Sequence, residues 1–333
     1  MDTLVDKIRQ GDRRCLARAM SLMDSAEPQG RRLRDSVRRH SAQVPWWGFT
    51  GPPGVGKSTL IDALLTRLRA RGRRVGVVAV DPSSPLSDGA FLGDRVRMMR
   101  HAVDPDVFIR SLATHHSPGG LSDATLHCAR LLELARFDPV LIETVGVGQS
   151  EVDVADVADI CVVVLGPGYG DDIQLIKAWL LEIADLLVVN KCDLPDASRL
   201  LTAVRQEFSA AAGTDREVEV VGIEAKSGKG VDELLDRLLE RDQAVRDAPR
   251  RSQLQHRRVL GEIKRAAMLT YQRALHRGLE DGAVRELVGQ LARGDLSLES
   301  AVAQLSAAAA AGPAQGAPDS PNRSSAQQED NRG

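Results

Sequence analysis

Aromatic residues are scarce in this chain, at 3% of its 333 residues. A core built from it must therefore consist mainly of Leu, Val, Ile and Ala. The 43% apolar content is enough for one large domain with helical additions. A net charge of −2 gives no electrostatic argument for nucleic acid or a membrane surface as partner.

Paired cysteines and long apolar runs are lacking too. The four cysteines form no C-x-x-C pair and indicate reduced thiols in a cytoplasmic protein; they are Cys15, Cys128, Cys161 and Cys192. No uninterrupted apolar stretch approaches the about 20 residues of a membrane span. The acidic residues near the N-terminus do not fit a signal peptide.

Lysine is rare, with seven lysines against 37 arginines. Where only positive charge is needed the chain uses arginine, so the lysines indicate positions where the shape of the side chain matters. Five of them lie in or beside the loops interpreted below as a nucleotide site or its switches: Lys57, Lys177, Lys191, Lys226 and Lys229.

A glycine-rich run that fits G-x-x-x-x-G-K-[ST] is the most informative motif. Its flanks predict a strand at Val44–Phe49 and a helix at Leu60–Leu68, which argues against a chance match in a solvated loop. The loop amides and the helix N-terminus would bind phosphate, Lys57 would reach the β- and γ-phosphates, and Ser58 would ligate Mg²⁺. The candidate nucleotide-binding residues are Gly51, Pro52, Pro53, Gly54, Val55, Gly56, Lys57, Ser58 and Thr59.

A second motif, N-K-x-D, follows the apolar strand Leu186–Val189 and comprises Asn190, Lys191 and Asp193. An aspartate here can accept hydrogen bonds from N1–H and the 2-amino group of guanine. Adenine lacks both donors in that arrangement, so the carboxylate would remain unpaired. The stem of Lys191 can lie along the base. An ordinary Asn-Lys turn is the alternative, but the position at a strand end favours guanine.

Three acidic residues follow strand ends or loops near these motifs, namely Asp81, Asp94 and Glu143. Each alone could be a helix cap or a solvated turn. Together with Ser58 they predict a shell for Mg²⁺ and its waters, and a group that orients the attacking water. Gly146 would let a backbone N–H approach the γ-phosphate.

Strands and helices alternate from residue 44 to residue 245. Candidate strands are Val44–Phe49, Val75–Val80, Val107–Ile109, Val140–Ile142, Ile160–Leu165, Leu186–Val189 and Val218–Ile223. This order predicts an α/β P-loop NTPase with a mostly parallel central sheet flanked by helices. Residues 1–43 are expected to form a helical N-terminal extension and 246–310 a helical C-terminal region. Residues 311–333 have the composition of a disordered tail.

In this order the motifs resemble those of the MeaB/ArgK-type family, the G-protein chaperones associated with methylmalonyl-CoA mutase. The resemblance covers about residues 4–308. The segments that carry it are residues 11–19, residues 51–60, Asp-Pro-Ser-Ser-Pro from Asp81, Leu-Gly-Asp ending at Asp94, Glu-Thr-Val-Gly-Val-Gly-Gln-Ser-Glu from Glu143, Asn190–Asp193 and residues 294–301.

The resemblance implies a GTP-binding and GTP-hydrolysing protein that uses Mg²⁺. Such proteins gate adenosylcobalamin loading and protect or reactivate an acyl-CoA mutase. Lys57, Asp94, Glu143 and Lys177 match catalytic positions. Glu224, Ala225 and Lys226 match the base-contacting loop, with the Ala225 N–H offered to the guanine oxygen. The C-terminal helices imply a homodimer, and a cobalamin adenosyltransferase is a further implied partner.

Two departures from the family pattern bear on partner and base binding. The loop of residues 166–177 resembles the third switch of the family. In this loop Tyr169 replaces a small residue, and Asp171-Asp172 replaces Asp-Glu. That change points to an isobutyryl-, ethylmalonyl- or 2-hydroxyisobutyryl-CoA mutase as an alternative partner. Glu224 replaces the usual serine beside the base.

Two other functions stay open from the sequence. One is a protein kinase or ATPase of a transport system, an older label of the family, for which no acceptor-specific element is present. The other is a nickel-delivery GTPase, for which only the pair His115 and His116 and no His- or Cys-rich segment is available.

Overall fold

The structure is a computed structural model. It describes residues 2–23, 28–39, 44–81, 98–113, 123–144, 150–168, 183–210, 218–247, 252–253, 256, 258–264, 266–268 and 282–311. The chain divides into two units, Met1–Ile263 and Lys264–Gly333.

Seven strands form the centre of the first unit. They are β1 (Trp46–Thr50), β2 (Val75–Asp81), β3 (Val107–Ala113), β4 (Val140–Glu143), β5 (Ile160–Leu165), β6 (Leu186–Val189) and β7 (Glu219–Gly222). The sheet order is β3-β2-β4-β1-β5-β6-β7, and every neighbouring pair is parallel. All carboxyl ends of the strands therefore lie along the same edge, where ligands bind in open parallel sheets.

The described part of the first unit also contains a set of helices. They are α1 (Asp2–Arg9), α2 (Arg13–Met23), α3 (Pro28–Arg39), α4 (Lys57–Ala70), α5 (Asp123–Leu134), α6 (Ser150–Val157), α7 (Ala197–Ala210) and α8 (Val231–Arg246). A short 3₁₀ turn covers Met99–His101, and residues 258–263 are helical.

Both faces of the sheet are covered, because successive side chains of each strand enter different cores. On β1, Trp46 belongs to the core that includes apolar residues of α1, α2, α3, α5, α6 and α7, whereas Trp47 belongs to the core shared with α4 and α8. On β5, Cys161 and Val162 divide in the same way. This two-sided burial explains why the strands are continuous apolar runs.

The N-terminal helices share the core of the sheet. Leu16 and Met20 of α2 are buried in the same cluster as Leu131 of α5 and Val78 of β2. Helices α1–α3 therefore cover one face of the sheet through an apolar core.

The second unit contains α9 (Gly282–Arg293) and α10 (Leu298–Ala311). Gly294, with a φ of 78°, begins the connection between them. The sequence predicts a helical region over 246–310; α9 lies inside these limits, and α10 ends one residue beyond them.

The fold class expected from the sequence is confirmed, including the mostly parallel sheet, which is wholly parallel over the described strands. Each of the seven predicted strands overlaps an observed one. The strand predicted at Val107–Ile109 is too short, because β3 continues to Ala113.

Candidate functional site

The glycine-rich loop joins the carboxyl end of β1 to the first turn of α4. It places Gly51, Pro52, Pro53, Gly54, Val55 and Gly56 between Thr50 and Lys57. Val55 is fully buried in the core shared with α4 and α8, which anchors the middle of the loop. The start of α4 therefore points its unpaired N–H groups toward the carboxyl edge of the sheet, where an anion binds.

Two glycines in this loop occupy space that no side chain could fill. Gly51 has a φ of 134°, and a Cβ there would lie 2.0 Å from the carbonyl oxygen of Val164 on β5. Gly56 has a φ of 97°, and a Cβ there would lie 2.5 Å from Nδ2 of Asn190. The loop thus packs directly against β5 and against the N-K-x-D motif.

Lys57 is the first residue of α4 and is buried. Its ammonium donates to the carbonyl oxygens of Gly51, at 2.7 Å, and Pro52, at 3.1 Å. These contacts fold the side chain back over the loop. A fixed positive charge beside the helix N-terminus is the arrangement that binds phosphate groups.

Ser58 and Glu143 come together although they are 85 residues apart. The Ser58 hydroxyl donates to Oε1 of Glu143 at 2.6 Å, and both side chains are buried. Thr59 is the next residue of α4 and is half-buried. The carboxyl end of β4 thus meets the first turn of α4 at the phosphate end of the site.

This pair has the chemistry of a magnesium site. Mg²⁺ prefers oxygen ligands and is commonly held by one or two carboxylates together with substrate phosphates. No three His, Cys, Asp or Glu side chains gather as a metal cluster within the described parts of the chain. Asp81 ends β2, but its side chain lies outside the described residues, as does Asp94. Ser58 and Glu143 are therefore the described residues that can be compared with a Mg²⁺ site. Their hydroxyl and carboxylate oxygens are ligands of the kind that Mg²⁺ prefers.

Asn190 joins the phosphate loop to the predicted base side of the site. Its Nδ2 donates to the carbonyl oxygen of Val55 at 2.8 Å, and its Oδ1 accepts from the N–H of Ala225 at 2.9 Å. Its own N–H donates to the carbonyl oxygen of Leu165 at the end of β5. This buried amide therefore holds three loops in one arrangement.

Lys191 and Asp193 follow in a turn at the end of β6. Lys191 has a φ of 61°, an uncommon value for a residue with a side chain. Its side chain is half-buried, and that of Asp193 is exposed. Between them, the N–H of Cys192 donates to the carbonyl oxygen of Ile223, which ties the turn to the loop after β7.

Glu224, Ala225 and Lys226 form the other wall of this region. The N–H of Ala225 is used by Asn190, so a guanine oxygen would share or replace that bond. The Glu224 carboxylate accepts from Lys229 at 3.1 Å and from Ser227 at 3.0 Å. These two donors hold the pKa of the Glu224 carboxyl below its ordinary value. Lys226 is exposed.

Glu224 is thereby directed into its own turn, where Ser227 and Lys229 hold its carboxylate. The departure from serine at this position leaves the backbone connection between Ala225 and Asn190 in place.

Several residues singled out from the sequence lie outside the described residues. Those predicted to act in catalysis or switching are Asp94, Gly146, Tyr169, Asp171, Asp172 and Lys177. The pair considered for nickel delivery, His115 and His116, lies outside them as well.

A hydroxyl pair at the base of the site was not predicted from the sequence. Thr144, directly after β4, donates to the hydroxyl oxygen of Thr50 at 3.1 Å, and its N–H donates to the carbonyl oxygen of Phe49. Both threonines are buried. The sequence does show a threonine at the end of each strand. The contact between the two hydroxyls, however, depends on the pairing of β1 with β4, which the sequence does not show.

The chain matches a known protein family over most of its length. Residues 16–277 match the family described as methylmalonyl Co-A mutase-associated GTPase MeaB. The chain belongs to the MeaB family. As a member of the MeaB family it is a GTPase, in agreement with the P-loop and the parallel sheet around it.

Relatives of this MeaB-family chain extend over most of its length. A GTPase of Pyrococcus abyssi (strain GE5 / Orsay) is 38% identical over 305 residues, covering 90% of this chain and 94% of its own. The methylmalonic aciduria type A homolog, mitochondrial, of Mus musculus is 37% identical over 260 residues, which cover 72% of this chain and 62% of the mouse protein. The crystal structure of a LAO/AO transport system kinase has a TM-score of 0.67 and 28% identity, and the match covers 92% of this chain and 96% of the kinase chain.

Among the described residues of this MeaB-family chain, no helix combines the length and the apolar content needed to cross a bilayer.

Proposed function

We propose that this GTPase acts on an adenosylcobalamin-dependent acyl-CoA mutase, gating cofactor loading and protecting or reactivating the mutase. The observation that carries the proposal is the match of residues 16–277 to GTPases described as associated with methylmalonyl Co-A mutase. The two loops joined by Asn190 would supply the nucleotide site that such a role requires.

The phosphate end of the site would bind the β- and γ-phosphates through the loop amides, the start of α4 and Lys57. Ser58 and Glu143 would hold Mg²⁺ directly or through water, with Asp81 and Asp94 completing the shell. The ion supplies neutralisation of phosphate charge when it is bound. Glu143 would accept a hydrogen bond from a metal-bound or attacking water, and Gly146 and Lys177 would contact the γ-phosphate region.

Guanine would be selected by Asp193, with Lys191 along the base and Asn190 holding the two loops. Changing Asp193 to Asn should shift preference from GTP toward XTP, because an amide offers a donor where xanthine presents a carbonyl oxygen. Competition between GTP and XTP for the purified variant measures this. Retained preference for GTP would reject the assignment of Asp193.

The partner is tested by GTP hydrolysis, alone and with cobalamin-dependent mutases added. Stimulation by one mutase, with ATP inert, would support the proposal and name the partner among methylmalonyl-, isobutyryl-, ethylmalonyl- and 2-hydroxyisobutyryl-CoA mutases. A rate unchanged by all of them would move the partner outside this class while leaving the GTPase intact. A cobalamin adenosyltransferase is included as a further candidate.

The protein would act as a homodimer in the cytoplasm. All four cysteines are free thiols in the structure, which fits a reducing compartment. Light scattering across a concentration series measures the dimer.

A protein kinase of a transport system is the second candidate, because the similar solved structure at 28% identity is that of a LAO/AO transport system kinase. Incubation with labelled GTP or ATP separates the two. Label transferred to a protein would favour the kinase, whereas label released only as inorganic phosphate favours the GTPase.

A further inference from the structure

We propose that Arg67 positions the base-side turn, residues 224–230, relative to the phosphate-binding helix, and thereby sets the affinity for the guanine nucleotide. Arg67 would act without touching the nucleotide. The inference rests on the proposed placement of the base beside Asp193 and Ala225.

Arg67 reaches from α4 to this turn. It lies ten residues after Lys57 in the same helix, about 15 Å along the axis. Its Nη2 donates to the carbonyl oxygen of Gly228 at 2.9 Å, and its Nε donates to Oδ1 of Asp232 at 2.9 Å. Its Nη1 also contacts the carbonyl oxygen of Ala63 at 3.2 Å. The guanidinium is thus fixed to its own helix while it holds the turn.

The turn passes this restraint on to the base-side residues. The N–H of Gly228 donates to the carbonyl oxygen of Glu224 at 2.8 Å, and Glu224 pairs with Lys229 in a bridge. Ala225, the next residue, donates to Asn190, which holds the phosphate loop through Val55. Arg67 therefore closes a ring of contacts that runs from the phosphate helix to the base side and back.

Arg67 donates to two acceptors outside its own helix, and of these the backbone carbonyl of Gly228, not the Asp232 carboxylate, fixes the position of the turn. The Asp232 side chain is 68% exposed, and exposed ion pairs contribute little. The Gly228 carbonyl belongs to a residue with a φ of 87°, where a Cβ would lie 2.5 Å from Nη2 of Arg67. Backbone and guanidinium approach too closely for any other residue to stand at 228 without displacement.

The chain supplies a matched control one helical turn further on. Arg71, directly after α4, donates to Oδ1 of Asp236 of α8 at 2.6 Å. It therefore makes the same kind of exposed ion pair to α8 as Arg67 makes with Asp232, but has no bond to the turn among the described contacts. Changing Arg71 to Met removes charge and pairing without removing the contact to Gly228.

The test compares full-length Arg67→Met, Arg71→Met and wild type by titration calorimetry with two probes, GDP and inorganic pyrophosphate. We expect Arg67→Met to weaken GDP binding about tenfold, since a charge-assisted hydrogen bond is lost. Pyrophosphate binding should stay within about twofold, because pyrophosphate occupies only the phosphate end. Arg71→Met should match wild type with both probes. In GTP hydrolysis, Arg67→Met should raise KM and leave kcat within about twofold.

Three results would overturn the proposal: unchanged GDP affinity in Arg67→Met, an equal loss of GDP and pyrophosphate affinity, or an Arg71→Met variant as weak as Arg67→Met. If Arg67→Met does not fold, Arg67→Lys serves instead, because one ammonium cannot reproduce the guanidinium fork that spans Gly228 and Asp232.

Failure of the base assignment gives a different result. The Asp193→Asn variant would then bind XDP no better than wild type does, whatever happens at Arg67. A selective loss of GDP affinity in Arg67→Met would still support the role of Arg67. If both proposals hold, adding Arg67→Met to Asp193→Asn weakens XDP binding by the same factor as it weakens GDP binding in the wild-type background.

Discussion

Glu133 and His127 lie on α5, away from the nucleotide site, and burial shifts their pKa values in opposite directions. Glu133 is fully buried, and burial raises its pKa from 4.5 to about 7, against the opposing effect of Arg258. Burial lowers the pKa of His127 from 6.5 to about 4, and Arg34 adds to that effect. Each residue is held in its uncharged form over part of the mildly acidic range.

The two shifts affect the pH dependence of stability with opposite signs. Between about pH 4.5 and 6.5 the folded protein holds a proton on Glu133 that the unfolded chain loses, so this group lowers stability as pH rises. Over the same window the unfolded chain holds a proton on His127 that the folded protein lacks, so that group raises stability as pH rises. The two contributions therefore oppose each other in the wild type.

Removing one group should expose the other. Relative to wild type, Glu133→Gln should gain stability as pH rises from about 4.5 to 6.5, by up to about 1.4 kcal/mol per pH unit. His127→Gln should lose stability over the same range. Urea denaturation of the three proteins at about pH 4.5, 5.5 and 6.5 measures these slopes, and parallel curves for all three would contradict the prediction.

Site residues that belong to a local motif could be predicted from the sequence, because Lys57 and Ser58 owe their position to one loop and one helix start. For Ser58 and Glu143 the sequence predicted that both contribute to one Mg²⁺ site, but it did not predict the hydrogen bond between them. The environment of Glu133 could not be predicted, because it depends on Arg258, 125 residues away. No periodic pattern encodes such a distant charged pair.

At the scale of elements, the apolar runs predicted the strands well where the strand is covered on both faces. Ile160–Leu165 and Leu186–Val189 agree with β5 and β6 residue for residue. β3 was underestimated because it is an edge strand, and its half-buried Arg110 and Ser111 interrupt the apolar run. The order of the strands in the sheet depends on how whole helices pack, so it could not be predicted from any single apolar run.

The contact between β1 and α6 gives a prediction at this scale. A Cβ on Gly48 would lie 2.5 Å from Cγ2 of Val154 and 2.8 Å from Cβ of Ala158. Gly48→Ala should therefore destabilise the fold by about 1–3 kcal/mol through overpacking. That cost lowers Tm by several degrees, and thermal unfolding followed by circular dichroism measures it.

A control and a partial rescue make the Gly48 prediction specific. At Gly166 an added Cβ would meet Val55 at 3.6 Å, an ordinary contact, so Gly166→Ala should leave Tm nearly unchanged. Adding Val154→Ala to Gly48→Ala removes the closer clash and should recover part of the loss. If Gly48→Ala is as stable as Gly166→Ala, α6 does not pack on β1 as described.

At the scale of the whole molecule, residues 258–262 are tied to the sheet and its helices through buried charges. Arg258 donates to Glu133 at 3.2 Å and to Asp159, and its guanidinium lies 3.8 Å from the centroid of the Trp46 ring. Glu262 accepts from Arg130 and from Arg38, the latter at 3.0 Å. Breaking a buried pair on one side leaves the remaining charge uncompensated.

Two truncated chains, ending at residues 268 and 255, test this connection. The chain ending at residue 268 keeps Arg258 and Glu262, so it should unfold near the Tm of the full chain and bind GDP with the same affinity. The chain ending at residue 255 leaves Glu133, Asp159 and Arg130 without these partners. Its stability should fall by at least about 3 kcal/mol, lowering Tm by about 6 °C or more. Equal Tm values for the two chains would contradict the role assigned to the buried charges. If residues beyond 268 supply the proposed dimer contact, light scattering should find both chains monomeric. Dimerisation would then be lost already in the chain ending at residue 268, whereas stability would be lost only in the chain ending at residue 255.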